Sequence, residues 1–221
     1  MLEIGSNNSL KDSFLKILSG KIKISSFLST MDKGILKWEI AGILFILIFG
    51  SGLHFAFELS NFWRPVALVA AVNESTWEHL KMVFWPGLVF FSLQYCFLKN
   101  EYSFAQFWTA KASCLFLMPL VIAVGWYAAV GLTGKNYFSV NIILFVGAVL
   151  IGQFLSYSIL SNKISWGFKS FPAISLIILL VVAFSLFTFF PPKIFLFEHM
   201  DLENSGQYGI LESYEGLLIF E

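Results

Sequence analysis

The chain has 221 residues, of which 57% are hydrophobic and only 13% charged, whereas a soluble domain is nearer about a quarter charged. Its 26 Phe and 7 Trp are more apolar bulk than a soluble core of this size can bury, which excludes an ordinary soluble fold. The formal net charge is zero and no long basic run exists, so nucleic acid is not an expected partner.

The first 36 residues are polar, with Lys11, Lys16, Lys21, Lys23 and Lys33 and no cleavable apolar core of a secretory leader. The stretch "SFLKILSGKIKISSFLSTM" alternates apolar and basic residues. Either it lies on the inner membrane surface as a short basic amphipathic helix, or it is a solvated arm.

A membrane-spanning helix needs about 20 mostly apolar residues, and five segments qualify. They run from about Lys37 to Leu59, Thr76 to Leu98, Phe107 to Leu132, Phe138 to Leu160 and Phe171 to Phe190. Pro172 suits the first turn of the fifth, and Pro191 and Pro192 stop it. The apolar segment Asn61 to Val72 is too short to span, so it is read as interfacial or re-entrant. Cys96 and Cys114 show no CxxC spacing and read as small buried hydrophobes.

The predicted fold is therefore an all-α integral membrane protein, a bundle of about five transmembrane helices plus one short interfacial or re-entrant segment. Three regions follow: a basic cytoplasmic arm over 1–36, the helical domain over 37–192, and an acidic extracytoplasmic tail over 193–221. With the N-terminus inside, ten of the 14 Lys and Arg fall on the cytoplasmic side and four (Arg64, Lys81, Lys135, Lys193) outside, as the positive-inside rule requires. The expected location is the cell membrane, with the lipid bilayer as the first partner. A protein partner within the membrane is also compatible with the sequence. Five spans do not divide into two equal halves, and no internal repeat of the kind found in many transporters is visible.

The most polar stretch between two spans is "NESTWEHLK", Asn73 to Lys81. Ser75-Thr76-Trp77-Glu78 fits a capping box, with Ser75 capping the helix and Glu78 answering back to the Ser75 amide. Asn73 is an alternative cap. Trp77 suits an interfacial belt, and Lys81 is expected to snorkel outward. A capped helix start explains most of the stretch, but Glu78, His79 and Lys81 carry charge into the span, where ionisable groups are costly. The first span ends with its own pair, His54 and Glu58, four residues apart, beside the small residues of "GSGLH".

Topology brings these two groups to one membrane face. The candidate ligand-binding set is His54, Glu58, Asn73, Glu74, Glu78, His79 and Lys81, with Arg64 nearby. Candidate metal ligands are His54, Glu58, Glu74 and His79, a set that suits Zn, Mn or Fe. Candidate catalytic residues are Glu74, Glu78 and His79. Glu78 and His79 are adjacent and diverge by about 100° on a helix, so both cannot point at one centre. Asn141 opens the fourth span on the same side. Gln153, Ser156 and Tyr157 share one face of that span, and Lys111 marks the inner end of the third; such groups usually join helices.

"VNESTWEHLK" followed by "FWP" (Phe84 to Pro86), with "LHF" (Leu53 to Phe55) before it and "FTFFPPK" (Phe187 to Lys193) and "YGI" (Tyr208 to Ile210) after it, resembles a group of small polytopic bacterial and archaeal membrane proteins of unknown function. Their signature reads roughly P-V-N-E-S-x-W-E-H-L-K, and the resemblance covers about residues 38 to 210. It brings no activity with it. The chain departs from the pattern at Ala71, where the group has Pro, and in the extension "LESYEGLLIFE".

Three functions from different classes fit these observations. One is a membrane protein with a polar ligand or metal site near the outer leaflet, acting as a membrane-embedded hydrolase of a lipid or small amphiphile. The second is an accessory or structural subunit of a membrane complex. The third is a small-solute or ion transporter.

Overall fold

The computed structural model describes residues 32–161, 170–199 and 206–210. The basic arm up to Met31, Lys163, Lys169 and the tail beyond Ile210 lie outside these residues. Among the described residues the structure is helical, with no named strand: α1 (Lys33–Leu59), α2 (Arg64–Ala67), α3 (Thr76–Leu98), α4 (Phe104–Thr133), α5 (Phe138–Ser161) and α6 (Ser170–Phe189). All but α2 are long and apolar enough to cross a membrane. At about 1.5 Å per residue, the 27 residues of α1 reach about 40 Å, more than a bilayer's hydrocarbon core of about 30 Å.

Local chemistry sets the ends of these helices. Asp32 accepts from the amides of Gly34 (3.0 Å) and Ile35 (3.4 Å) and starts α1. Ser75 and Ser103 do the same for α3 and α4, each satisfying an amide with no intrahelical partner. Gly134, at φ +68°, closes α4 in the left-handed region. At the end of α1, the amides of Asn61 and Phe62 turn back onto the carbonyls of Glu58 (2.9 Å) and Phe57 (3.1 Å). Both residues have positive φ, 55° and 61°. That conformation is uncommon for a bulky side chain, and here the Phe62 ring is held edge-on against Phe57 at 5.6 Å.

α1 packs against α3 and α5, and α4 against α3, α5 and α6. The central layer is apolar: Ile46, Val83, Phe84, Phe91, Leu115, Met118 and Ala148 are fully buried. In lipid, apolar surface alone does not hold helices together, so close packing and interhelical hydrogen bonds carry association. Two glycines show that packing. A Cβ at Gly50 would strike the Met82 carbonyl and sit 3.0 Å from the Phe145 ring, and one at Gly152 would collide with Met118 and Cys114. Cys114 is buried as expected, but Cys96 faces outward, donating to the Ser92 carbonyl at 3.4 Å.

The segment between α1 and α3 is not half of a hairpin through the bundle. Its one helix, α2, has four residues, and Ala67, Ala70 and Val72 bury against Phe57 and Ile210 as a cap on the end of α1. After α6 the chain also turns back over the start of α3. The Trp77 amide donates to the Leu196 carbonyl (3.0 Å), and Ser75 forms an isolated antiparallel bridge with His199.

Candidate functional site

The stretch 73–81 builds two opposed surfaces, and Ser75 divides them. Its hydroxyl accepts from the Glu78 amide at 3.3 Å, and its own amide donates to Asn73 Oδ1 at 3.0 Å. Only half of the expected capping box forms, because the Glu78 side chain does not return to Ser75. Instead, Glu78 turns into the bundle, where its carboxylate lies 2.5 Å from Lys81 Nζ and accepts from the Val72 amide (3.1 Å) and Thr188 (3.2 Å). Lys81 does not snorkel outward. It is fully buried and donates to the Ala67 carbonyl and to Thr188, both at 2.9 Å. An ammonium has three donors, and three partners meet them. A lysine with an acceptor one turn behind it and a carbonyl above it gains more from these than from a stretched path to water.

The structure does not bring Glu78, Lys81 or Asn73 into the group formed by His54, Glu74 and His79. Glu58 is not brought in either. It is exposed and stands outside the histidine–carboxylate group, close enough only for its charge to reach His54. Four residues along a helix advance by about 40° beyond a full turn. His54 already sits at the edge of the buried stripe of α1, so Glu58 falls beyond it while Phe57, at 1% exposure, takes the inward position.

What converges on the other surface is His54, Glu74 and His79, whose potential ligand atoms all lie within 4.8 Å of one another. His54 Nε2 is 3.8 Å from one Glu74 oxygen and His79 Nε2 is 3.4 Å from the other. The two imidazole centroids are 5.3 Å apart. Gly50 and Met82, one turn down from His54 and His79, touch without a side chain between them, and this close approach of α1 and α3 sets the spacing of the histidines.

The hydrogen-bond pattern fixes the His79 tautomer. Its Nδ1 lies 2.8 Å from the Ser75 carbonyl, which can only accept, so Nδ1 carries the hydrogen. In a neutral ring, Nε2 then presents a lone pair to the Glu74 carboxylate. Two acceptors facing each other at this distance call for a cation or a proton between them. The adjacent His79 imidazole, by hydrogen bond and charge, holds the Glu74 carboxyl below its usual range against the opposing effect of burial; His54 and His199 add to it. All three histidines of the chain thus bear on one carboxylate. His54 Nδ1 is buried with no hydrogen-bond partner among the described residues.

The group lines a pocket of about 340 Å³. Thr76, Met82, Trp126, Asn136, Asn141 and Phe145 contribute to its walls. Asn141 was legible from its place at the head of α5. Trp126 and Asn136 carry no sequence signal, since a Trp near a span end and an Asn in a loop are ordinary. Arg64 is on α2 and is not among the lining residues.

The opposite end of the bundle holds a second buried ion pair, Glu39 with Lys111 at 2.7 Å, joined by Ser156 at 2.8 Å from the ammonium. Lys111 also lies over the Phe91 ring at 4.5 Å. Ser156 thus joins helices, as its face on α5 suggested, and Tyr157 does so too by accepting from the Asp32 amide at 3.1 Å. Glu39 was not singled out in the sequence, although it and Lys111 are ionisable residues at the same ends of their spans.

No curated protein and no solved structure matches the chain. The sequence profile of a family of unknown function, DUF6512, matches residues 28–210, a range that contains every helix among the described residues and every residue of the pocket. The chain therefore belongs to this family.

Proposed function

We propose that this chain is a multi-pass cell-membrane protein that binds one divalent transition metal through His54, Glu74 and His79 and uses it for hydrolysis. The observation that carries the reading is the convergence of His54, Glu74 and His79, a two-histidine, one-carboxylate set whose potential ligand atoms all lie within 4.8 Å of one another beside the pocket. Ligand atoms around a tetrahedral Zn with bonds of about 2.1 Å are roughly 3.4 Å apart. The 3.4 and 3.8 Å separations are near that spacing. Three protein ligands with an open side are the arrangement of catalytic rather than structural sites, and here the open side is the pocket. His54, Glu74 and His79 would hold the ion, and the chemistry it would supply there is the lowering of a water's pKa for hydrolysis.

The lysine and arginine distribution supports a cytoplasmic N-terminus, with this end of the bundle on the outer side. Transport is disfavoured by the apolar packing of Ile46, Phe84, Leu115 and Met118 between the two polar ends.

The test is elemental analysis of protein purified without chelators. The expected result is about one Zn, Mn or Fe per chain, lost in His79→Ala and Glu74→Ala and retained in Glu58→Gln. Protein that carries no metal, and takes up none when Zn²⁺ or Mn²⁺ is added, would overturn the reading and favour an accessory subunit, with Glu74 and a protonated His79 as a plain ion pair.

A further inference from the structure

The pocket beside the three-residue group has both polar and apolar lining. His54, Glu74 and His79 gather in its wall, and Thr76 and Asn141 add polar groups to the lining. Phe55 on α1 and Phe138 and Ile142 on α5 also line it, and these three are 56, 79 and 47% exposed. All three belong to helices that are long and apolar enough to cross a membrane. Exposed apolar residues at the ends of two such helices would face the lipid boundary of a membrane.

The polar side chains of the lining have a defined donor and acceptor pattern. Trp126 Nε1 lies 3.4 Å from Asn136 Oδ1, and Asn141 Nδ2 lies 3.0 Å from the same oxygen. An indole N–H can only donate, so Asn136 must present its oxygen to it. Asn141 must then present its nitrogen to Asn136. This relay leaves Asn141 Oδ1 as an acceptor, and that atom is buried with no partner among the described residues. A buried unpaired acceptor costs about 1–3 kcal/mol, which a ligand with an N–H or O–H would recover. Among the described residues no lysine or arginine lines the pocket, and its two imidazoles already face the Glu74 carboxylate, so an uncharged head suits it better than a phosphate or sulfate.

We infer that the pocket takes an amphiphile from the surrounding leaflet, with an uncharged head that donates a hydroxyl or amide N–H to Asn141 and an alkyl chain that leaves between α1 and α5. The proposed metal reading supplies the fate of the head group, and the inference rests on it for that alone. Binding can be measured apart from metal content.

Three probes separate the requirements: N-methyldodecanamide, which has a chain and an N–H; N,N-dimethyldodecanamide, which has the chain only; and N-methylacetamide, which has the N–H only. Their affinities are measured on the full chain in lipid nanodiscs, with metal content determined on the same samples. One hydrogen bond contributes about 0.5–1.5 kcal/mol, so the first probe should bind about two- to tenfold more tightly than the second, and N-methylacetamide should not bind measurably. In Asn141→Leu the preference should vanish while metal content stays at the wild-type level. Ser51→Trp, which fills the pocket from α1, should block both long probes. Equal binding of the two long probes to wild type would overturn the proposal even if no variant folds. So would a preference that survives in Asn141→Leu, or N-methylacetamide binding as tightly as the long amide. Loss of metal with the preference intact would overturn the metal reading and leave this one standing.

Discussion

The first two turns of α3 carry two polar faces of opposite character. On one, Glu78 and Lys81 are both at or below 1% exposure and answered by Val72, Ala67 and Thr188. On the other, Glu74 and His79 keep 45 and 27% of their side-chain surface, and His54 leaves a ring nitrogen without a partner among the described residues. Both faces come from one nine-residue stretch, so polarity alone does not mark the site. The difference lies in whether partners saturate the groups. A saturated ion pair in an apolar bundle holds helices in register. An unsaturated cluster beside a cavity has valence left for a ligand.

Breaking the closed face should have the largest effect. Lys81→Met leaves the Glu78 carboxylate buried and uncompensated, at a cost of about 3–5 kcal/mol, read as a loss of thermal stability in detergent. The double variant Glu78→Leu, Lys81→Met removes both charges and should recover most of that loss. If the double is as damaged as the single, the pair is not the unit described here.

The hinge between the faces comes next. Gly50→Ala forces α1 away from the Met82 carbonyl, and overpacking of this kind costs about 1–3 kcal/mol. It should also lower metal content, because the same contact spaces His54 from His79. Stability that falls without any change in metal would separate the contact from the site.

Ser75→Ala removes the cap shared by both faces and should cost about 1 kcal/mol with metal retained. A wild-type melting temperature would mean that the Asn73 turn alone suffices to start α3.

The open face should be the least sensitive in stability and the most sensitive in binding. His79→Ala should shift metal-free stability by about 1 kcal/mol, the scale of its hydrogen bond to Ser75 and its partly exposed contact with Glu74, while abolishing metal uptake. A large loss of stability in the metal-free state would make His79 a structural residue like Glu78.

Much of the architecture was legible because length and apolarity are enough to locate a span. Every predicted end lies within four residues of the observed helix. The meeting of His54 with Glu74 and His79 was also legible, since two consecutive spans must bring their joined ends together. The partition of the polar stretch was not. Glu78 and Lys81 are three apart and could have been paired from spacing, but the decision between that pair and the site depends on Thr188 and on the Ala67 carbonyl. Neither is visible until α6 and α2 are in place. Glu58 failed for a smaller reason, a rotation of about 40° past His54 on α1, which periodicity describes but a matched i, i+4 pair conceals.

The return of the chain after α6 over the start of α3 has a consequence for how the protein is made. Glu78 and Lys81 are near neighbours, so their charges can cancel as soon as α3 coils, before it leaves the insertion machinery. Thr188, Leu196 and His199 emerge more than a hundred residues later. The nascent second span thus travels as a neutral segment with an unfinished head. Ribosome-bound chains that stop short of α6 should therefore insert α3 yet leave the Trp77 amide without its carbonyl, so the pocket's end of the bundle is the last part of the protein to be assembled.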